Sequence, residues 1–245
     1  MKKYFTKLAL GILIVSSIAK ADLANDLLVS SDQGRGGIKD GITWNIRIET
    51  DEDGDKSTRE FIVKAKKDDA LVEAVSPARN KGEIYLFNDR NMWFFKPSLK
   101  KPVSISARQK LTGQAANGDI ASTHYARDYA ATLEKSETVN GEKTHVLLLK
   151  AKTPNLTYDQ IRYWVTEKNK LAIKAEFLTL QGEVFKIGTM EYKNKLQLNG
   201  KSFPFVSQLK IVDAKFAKNM SVINYANPKA ESHASSIFNI NNLSR

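Results

Sequence analysis

The sequence lacks cysteine altogether and holds only three histidines in 245 residues. The missing thiols exclude a disulfide scaffold, thiolate metal sites, a cysteine nucleophile and a lipid-anchored bacterial N-terminus. His124, His145 and His233 are scattered and leave little for a histidine-rich metal site. No G-x-S-x-G elbow, H-E-x-x-H pair, P-loop or G-x-G-x-x-G run occurs, so no catalytic motif and no cofactor is implied. There is no helix-turn-helix pattern, RNA-binding motif or zinc finger either, and the lysines are spread along the chain, which argues against nucleic acid. What is present is an ordinary globular balance, 42% hydrophobic and 27% charged. That suits one domain of ample core.

The N-terminus has the form of an address. Lys2, Lys3 and Lys7 precede an apolar run from Leu8 to Ile18, and Ala19-Lys20-Ala21 forms an A-x-A cleavage site. The run of 11 residues is short of the ~20 that a membrane span needs. The expectation is a signal peptide over 1–21, cleaved after Ala21, and a periplasmic mature domain over 22–245. Cleavage removes four lysines and no acids, so the formal charge falls from +11 to +7. That mild positive charge favours anionic headgroups or acidic partners.

Asp22 to Gln33 has a short helical pattern, ended by Gly34, Gly36 and Gly37. Period-two alternation then dominates. Ile42, Trp44, Ile46 and Ile48 alternate with polar residues, and Asp53-Gly54 links them to a second strand through Phe61, Val63 and Ala65. Further strands are predicted near 70–75, 83–87, 92–95, 146–150, 161–165, 171–178, 184–195, 203–212 and 220–225. The strand over 184–195 changes face near Gly188, which predicts a bulge there. Residues 104–133 interrupt the rhythm, and the spacing of Ile120, Tyr125, Tyr129 and Leu133 predicts a short helix or ordered loop in a lid-like insert. One large curved antiparallel sheet with covering helices is the simplest architecture, and a curled sheet needs a plug, a lid or a ligand.

Two chemical alternatives arise. The acidic turn 51–55 resembles a calcium loop but places Gly54 fourth, where an EF-hand needs glycine sixth and a glutamate twelfth. His124 lies near Ser122, Asp119 and Asp128, the composition of a hydrolytic triad without anything in the sequence to fix its geometry. The apolar side chains form the larger signal. By strand alternation, Trp44, Ile46, Phe61, Phe87, Trp93, Phe95, Phe177, Phe185 and Phe205 are the candidate wall of a cavity for an acyl chain. Strand parity does not say which face is concave.

Several stretches resemble the LolA-like outer-membrane lipoprotein-sorting family: Ser76–Gly82, Asn91–Pro97, Arg108–Ala121, Tyr125–Tyr129, Tyr158–Val165, Lys174–Phe177, and Gly182 with Phe185-Lys186 and Glu191-Tyr192. The resemblance spans about residues 40–230. It implies a mainly β (α+β) fold, a single half-open antiparallel β-barrel of LolA/LolB type closed by helices around an apolar cavity. It implies a non-catalytic, monomeric periplasmic carrier of lipoprotein or other lipid acyl chains. The implied partners are an inner-membrane transporter and an outer-membrane acceptor. The alternatives are an accessory protein of a resistance-nodulation-division-type transporter and a secreted hydrolase.

Overall fold

The computed structural model describes residues 21–121 and 124–243. The predicted signal peptide lies outside the described residues except for Ala21, which begins the helical stretch 21–33, α1. The strands are β1 Ile42–Glu52, β2 Asp55–Lys66, β3 Asp69–Ser76, β4 Ile84–Asn88, β5 Asn91–Phe95, β6 Val103–Ile105, β7 Lys110–Thr112, β8 Ala115–Ala116, β9 Tyr129–Val139, β10 Glu142–Ala151, β11 Gln160–Thr166, β12 Ala172–Leu178, β13 Val184–Glu191, β14 Asn194–Leu198, β15 Lys201–Phe205, β16 Gln208–Asp213 and β17 Met220–Ala230. A four-residue helix, α2, covers Tyr125–Asp128.

Thirteen strands make one antiparallel sheet in the order β6-β5-β4-β3-β2-β1-β17-β16-β13-β12-β11-β10-β9. The alternation of apolar residues sets its two faces. Ile42, Trp44, Ile46 and Ile48 are buried while Asn45, Arg47 and Glu49 are exposed. The register carries that parity across the sheet: Ile46 faces Phe61, Phe61 faces Ala74, and Val72 faces Tyr85. A sheet of this width twists and curls, and it stops short of closure, because β6 and β9 are edges that do not pair with each other.

The segment between those edges spans the gap. Arg127 reaches Asp68 at 3.1 Å and Asp89 at 3.3 Å, in the turns after β2 and β4, while Arg90 reaches Asp128 at 3.3 Å. These pairs tie the β2–β5 half to the residues that open β9. Lys152 adds bonds to the carbonyls of Ala126 and Arg127.

The structure corrects three local expectations. Tyr129 to Leu133 is the start of β9 rather than helix. The helical-looking spacing arises because Tyr125 sits in α2, and Tyr129 then begins a period-two strand with Ala131 and Leu133. The strand over 184–195 ends at Glu191 and passes into a separate hairpin, β14–β15, whose turn residues Asn199 and Gly200 both have positive φ. That is the left-handed geometry an Asn-Gly turn supplies. The bulge lies where Phe177 faces Lys186 but Leu178 faces Val184, not at Gly188.

A second, smaller apolar cluster sits on the convex face. Leu86 and the C-terminal residues Phe238 and Leu243 pack there with Ile84, Trp93 and Phe95. Phe61, fully buried at the centre of the concave face, tests the main core. Phe61→Ala is expected to cost about 3–5 kcal/mol, read as a lowered urea midpoint with an unchanged m-value.

Candidate functional site

The candidate site is the concave face together with the segments that roof it. From the sheet come Trp44, Ile46, Phe61, Tyr163, Phe177 and Tyr225; from α1 come Ala24, Leu27 and Leu28; from the mid-chain segment come Ile120 and Tyr125. Among the described residues this interior is filled with side chains. The roof side chains pack directly against the sheet there. A cleft of about 400 Å³ opens beside the end of α1, lined by Gln33, Gly34, Ile38, Leu171, Leu198 and Phe203 among others.

The predicted wall residues divide. Trp44, Ile46, Phe61, Phe87, Phe177 and Phe205 join the concave core. Trp93 and Phe95 do not: Trp93 faces Leu86 and Phe95 faces Ile84, on the convex side. Their neighbours Met92 and Phe94 point inward instead, a slip of one register that apolar residues at four consecutive positions conceal. Phe185 is 36% exposed, turned out at the bulge beside β12. Its ring nonetheless lies 6.2 Å from that of Tyr158, which stacks on Phe177 at 3.9 Å.

Sequence reasoning missed a buried polar group at the roof. Arg35, 5% exposed, donates to the Tyr163 hydroxyl at 3.1 Å and lies over the Tyr125 ring at 4.8 Å. The Ser31 hydroxyl is 3.2 Å from the same Tyr163 oxygen. Asp32 accepts from the Ala126 amide at 2.9 Å through one oxygen, and its other oxygen has no partner among the described residues. Burial pushes the Asp32 carboxyl up to about 7, because the anion loses its hydration. Only the polar run Ser30-Ser31-Asp32 at the end of an amphipathic helix hinted at this group.

A second buried carboxylate, Asp119, accepts from Tyr158 at 2.8 and 3.0 Å and from the Ala116 amide at 2.8 Å. Burial raises it as well. Lys186, drawn down by burial, donates to the Gln114 carbonyl at 2.6 Å. Gly118 packs against Thr157 with no room for a Cβ. These contacts pin the stretch 114–121 across the mouth of the sheet.

His124 belongs to no such network. Asp119 is engaged by Tyr158, and Asp128 by Arg90 and Arg127. Asp128 meets His124 only through the backbone, its amide donating to the His124 carbonyl at 3.1 Å. Neither carboxylate is hydrogen-bonded to the imidazole among the described residues, and Ser122 lies outside them.

A family model described as "Uncharacterized protein" matches residues 66–245. A LolA superfamily protein from Nitrosomonas europaea superposes with a TM-score of 0.79 at 29% identity, over 89% of this chain and 98% of its own. The chain belongs to the family that model describes and is LolA-like in fold. An outer membrane lipoprotein-sorting protein domain from Vibrio parahaemolyticus shares the fold at 19% identity and a TM-score of 0.76, over 92% of this chain and all of its own. A DUF1329 family protein from Desulfovibrio piger does so at 20% identity and 0.76, over 91% and 99%. No curated protein matches the chain in sequence. The half-open antiparallel sheet with its roof helix is thus the architecture of LolA-like proteins.

The protonation of Asp32 gives this LolA-like roof a pH signature. Its folded-state pKa stands near 7, above the ordinary value of about 3.9. Between those limits the folded chain keeps a proton that the unfolded chain releases. Stability therefore falls as pH rises from about 4 to about 7, by up to about 1.4 kcal/mol per pH unit. Asp32→Asn is expected to flatten that slope, measured as urea midpoints across the interval; parallel slopes would contradict it.

Proposed function

We propose that this LolA-like protein is a non-catalytic carrier that holds acyl chains of lipoproteins or other lipids against the concave face of its sheet. The observation that carries the reading is the roof. α1 joins the sheet through no strand pairing; it rests on Leu27, Leu28 and Ala24, on the bonds of Ser31 and Asp32, and on those of Arg35 just beyond its end. Its displacement bares a continuous apolar surface, and an acyl chain replaces the contacts that α1 gives up. The name of the Vibrio relative, a lipoprotein-sorting domain, supports the same class of cargo.

The energetics fit hand-over rather than capture. Burying a chain of ~16 carbons is worth about 12 kcal/mol against water, at about 0.8 kcal/mol per methylene. Against a bilayer the difference is near zero, because the chain already lies in an apolar phase. Transfer then follows small differences in affinity between donor and acceptor and needs no reaction. We place the carrier as a monomer in the periplasm, between an inner-membrane transporter and an outer-membrane acceptor. The signal-peptide pattern and the family resemblance support that placement.

The test is chemical. Protein purified from its native compartment without detergent is extracted with organic solvent and analysed by mass spectrometry. The expected result is about one acylated species per chain, with a delipidated sample that regains an acyl probe and shifts Trp44 emission. Lipid-free protein that also refuses the probe would reject the carrier and favour the accessory role beside a transporter.

A further inference from the structure

The sheet's strand order brings three turns into a row at one end: the β16–β17 turn, the β12–β13 turn and the β10–β11 loop. Their tips carry large apolar side chains in water. Leu180 is 71% and Phe216 65% exposed, with Phe185 beside them at 36%. The turns are physically joined. Ala214 donates to the Phe185 carbonyl at 3.1 Å, and Gln160 donates to the Leu180 carbonyl at 3.0 Å. Leu180 shares a shallow depression with Lys150, Lys152 and Pro154.

The tips are held outward by defined bonds. Asp213 Oδ1 accepts from the amides of both Lys215 and Phe216 at 2.8 Å, which fixes the turn that presents Phe216. Turn tips are normally polar, and apolar groups fixed at neighbouring tips mark a contact surface.

The charge around them selects the partner. Lys150, Lys215 and Lys218 are exposed around these tips, and Lys152, also exposed, lies beside them with its ammonium on the carbonyls of Ala126 and Arg127. Of the nearby acids, Asp159 is paired with Arg108 at 2.6 Å; Asp213, held by the two turn amides, and Glu183, exposed on the β12–β13 turn, keep their charge against the four lysines. The acidic β1–β2 turn, joined to Asn219 through the Asp53 amide, bounds the patch on one side.

We propose that this row of turns is a membrane-docking surface: Leu180 and Phe216 enter the headgroup region of an anionic bilayer while the lysines meet its charge. A basic rim around apolar tips is the pattern that holds a protein at such an interface. The inference rests on the carrier reading and deepens it. Phe185, Tyr158 and Phe177 form a run of aromatic rings from the patch into the concave core, so docking here sets the bilayer beside the roofed interior.

The test is co-sedimentation of the purified protein with vesicles of phosphatidylglycerol and phosphatidylcholine, against phosphatidylcholine alone. Binding to the anionic vesicles is expected, weakened by salt. Leu180→Asp and Phe216→Asp should each reduce it about tenfold, and neutralising Lys150, Lys215 and Lys218 to glutamine roughly fivefold per residue at low salt. The variants' circular dichroism and extractable lipid should match the wild type. Unchanged vesicle binding in the double aspartate variant would overturn the proposal. So would light scattering that shows the tips instead mediate self-association, or binding only to a protein partner. Co-purified lipid with vesicle binding indifferent to the tips refutes this surface and leaves the carrier intact; tip-dependent docking by a protein that holds no lipid refutes the carrier and leaves the surface.

Discussion

A thirteen-stranded antiparallel sheet that curls without closing leaves one wide apolar face with nothing of its own to pack against. Everything else in the molecule answers that constraint. α1 lies across the face, the stretch 114–121 crosses its mouth, and the ion pairs of Arg127 and Arg90 hold the two halves together at the open edge. The cover is held mostly by side-chain contacts with a few backbone bonds, such as that of the Val206 amide to the Gly34 carbonyl, whereas the sheet beneath is a continuous hydrogen-bonded ladder. The roof is therefore the part that can yield while the sheet persists.

The buried polar groups are concentrated in that roof. Arg35 and Ser31 converge on Tyr163, and Asp32 caps the start of α2 through the Ala126 amide. Polar contacts give a roof one position, where apolar packing alone would tolerate several. They also limit how tightly it binds, since burying Asp32 as an anion is costly and its carboxyl holds a proton up to about pH 7. A cover that is specific in position but modest in strength suits the proposed carrier.

Much of the sheet was legible because half-buried strands write their burial as alternation: Ile42-Trp44-Ile46-Ile48 and Phe61-Val63-Ala65 are plain in the sequence, and the Asp53-Gly54 turn joins them. The signal failed where both faces are apolar. In Met92-Trp93-Phe94-Phe95 alternation carries no parity, because the C-terminal Phe238 and Leu243 cover the convex side, and that tail contact is remote in sequence. It failed again at Asn199-Gly200, a hairpin turn hidden inside an apparent pair of longer strands. Arg35 was invisible for a different reason. A lone arginine after a helix is ordinarily solvated, and only the fold brings Tyr125 and Tyr163 around it.

The central claim is that cargo enters by displacing the roof while the sheet stays folded. Amide hydrogen exchange, followed with and without a bound acyl lipid, reads this directly. The account predicts that lipid removes protection from residues 24–33, 117–121 and 124–128 and leaves β1, β2, β11 and β17 protected. Protection that rises or stays level in α1 while the sheet loosens would contradict it.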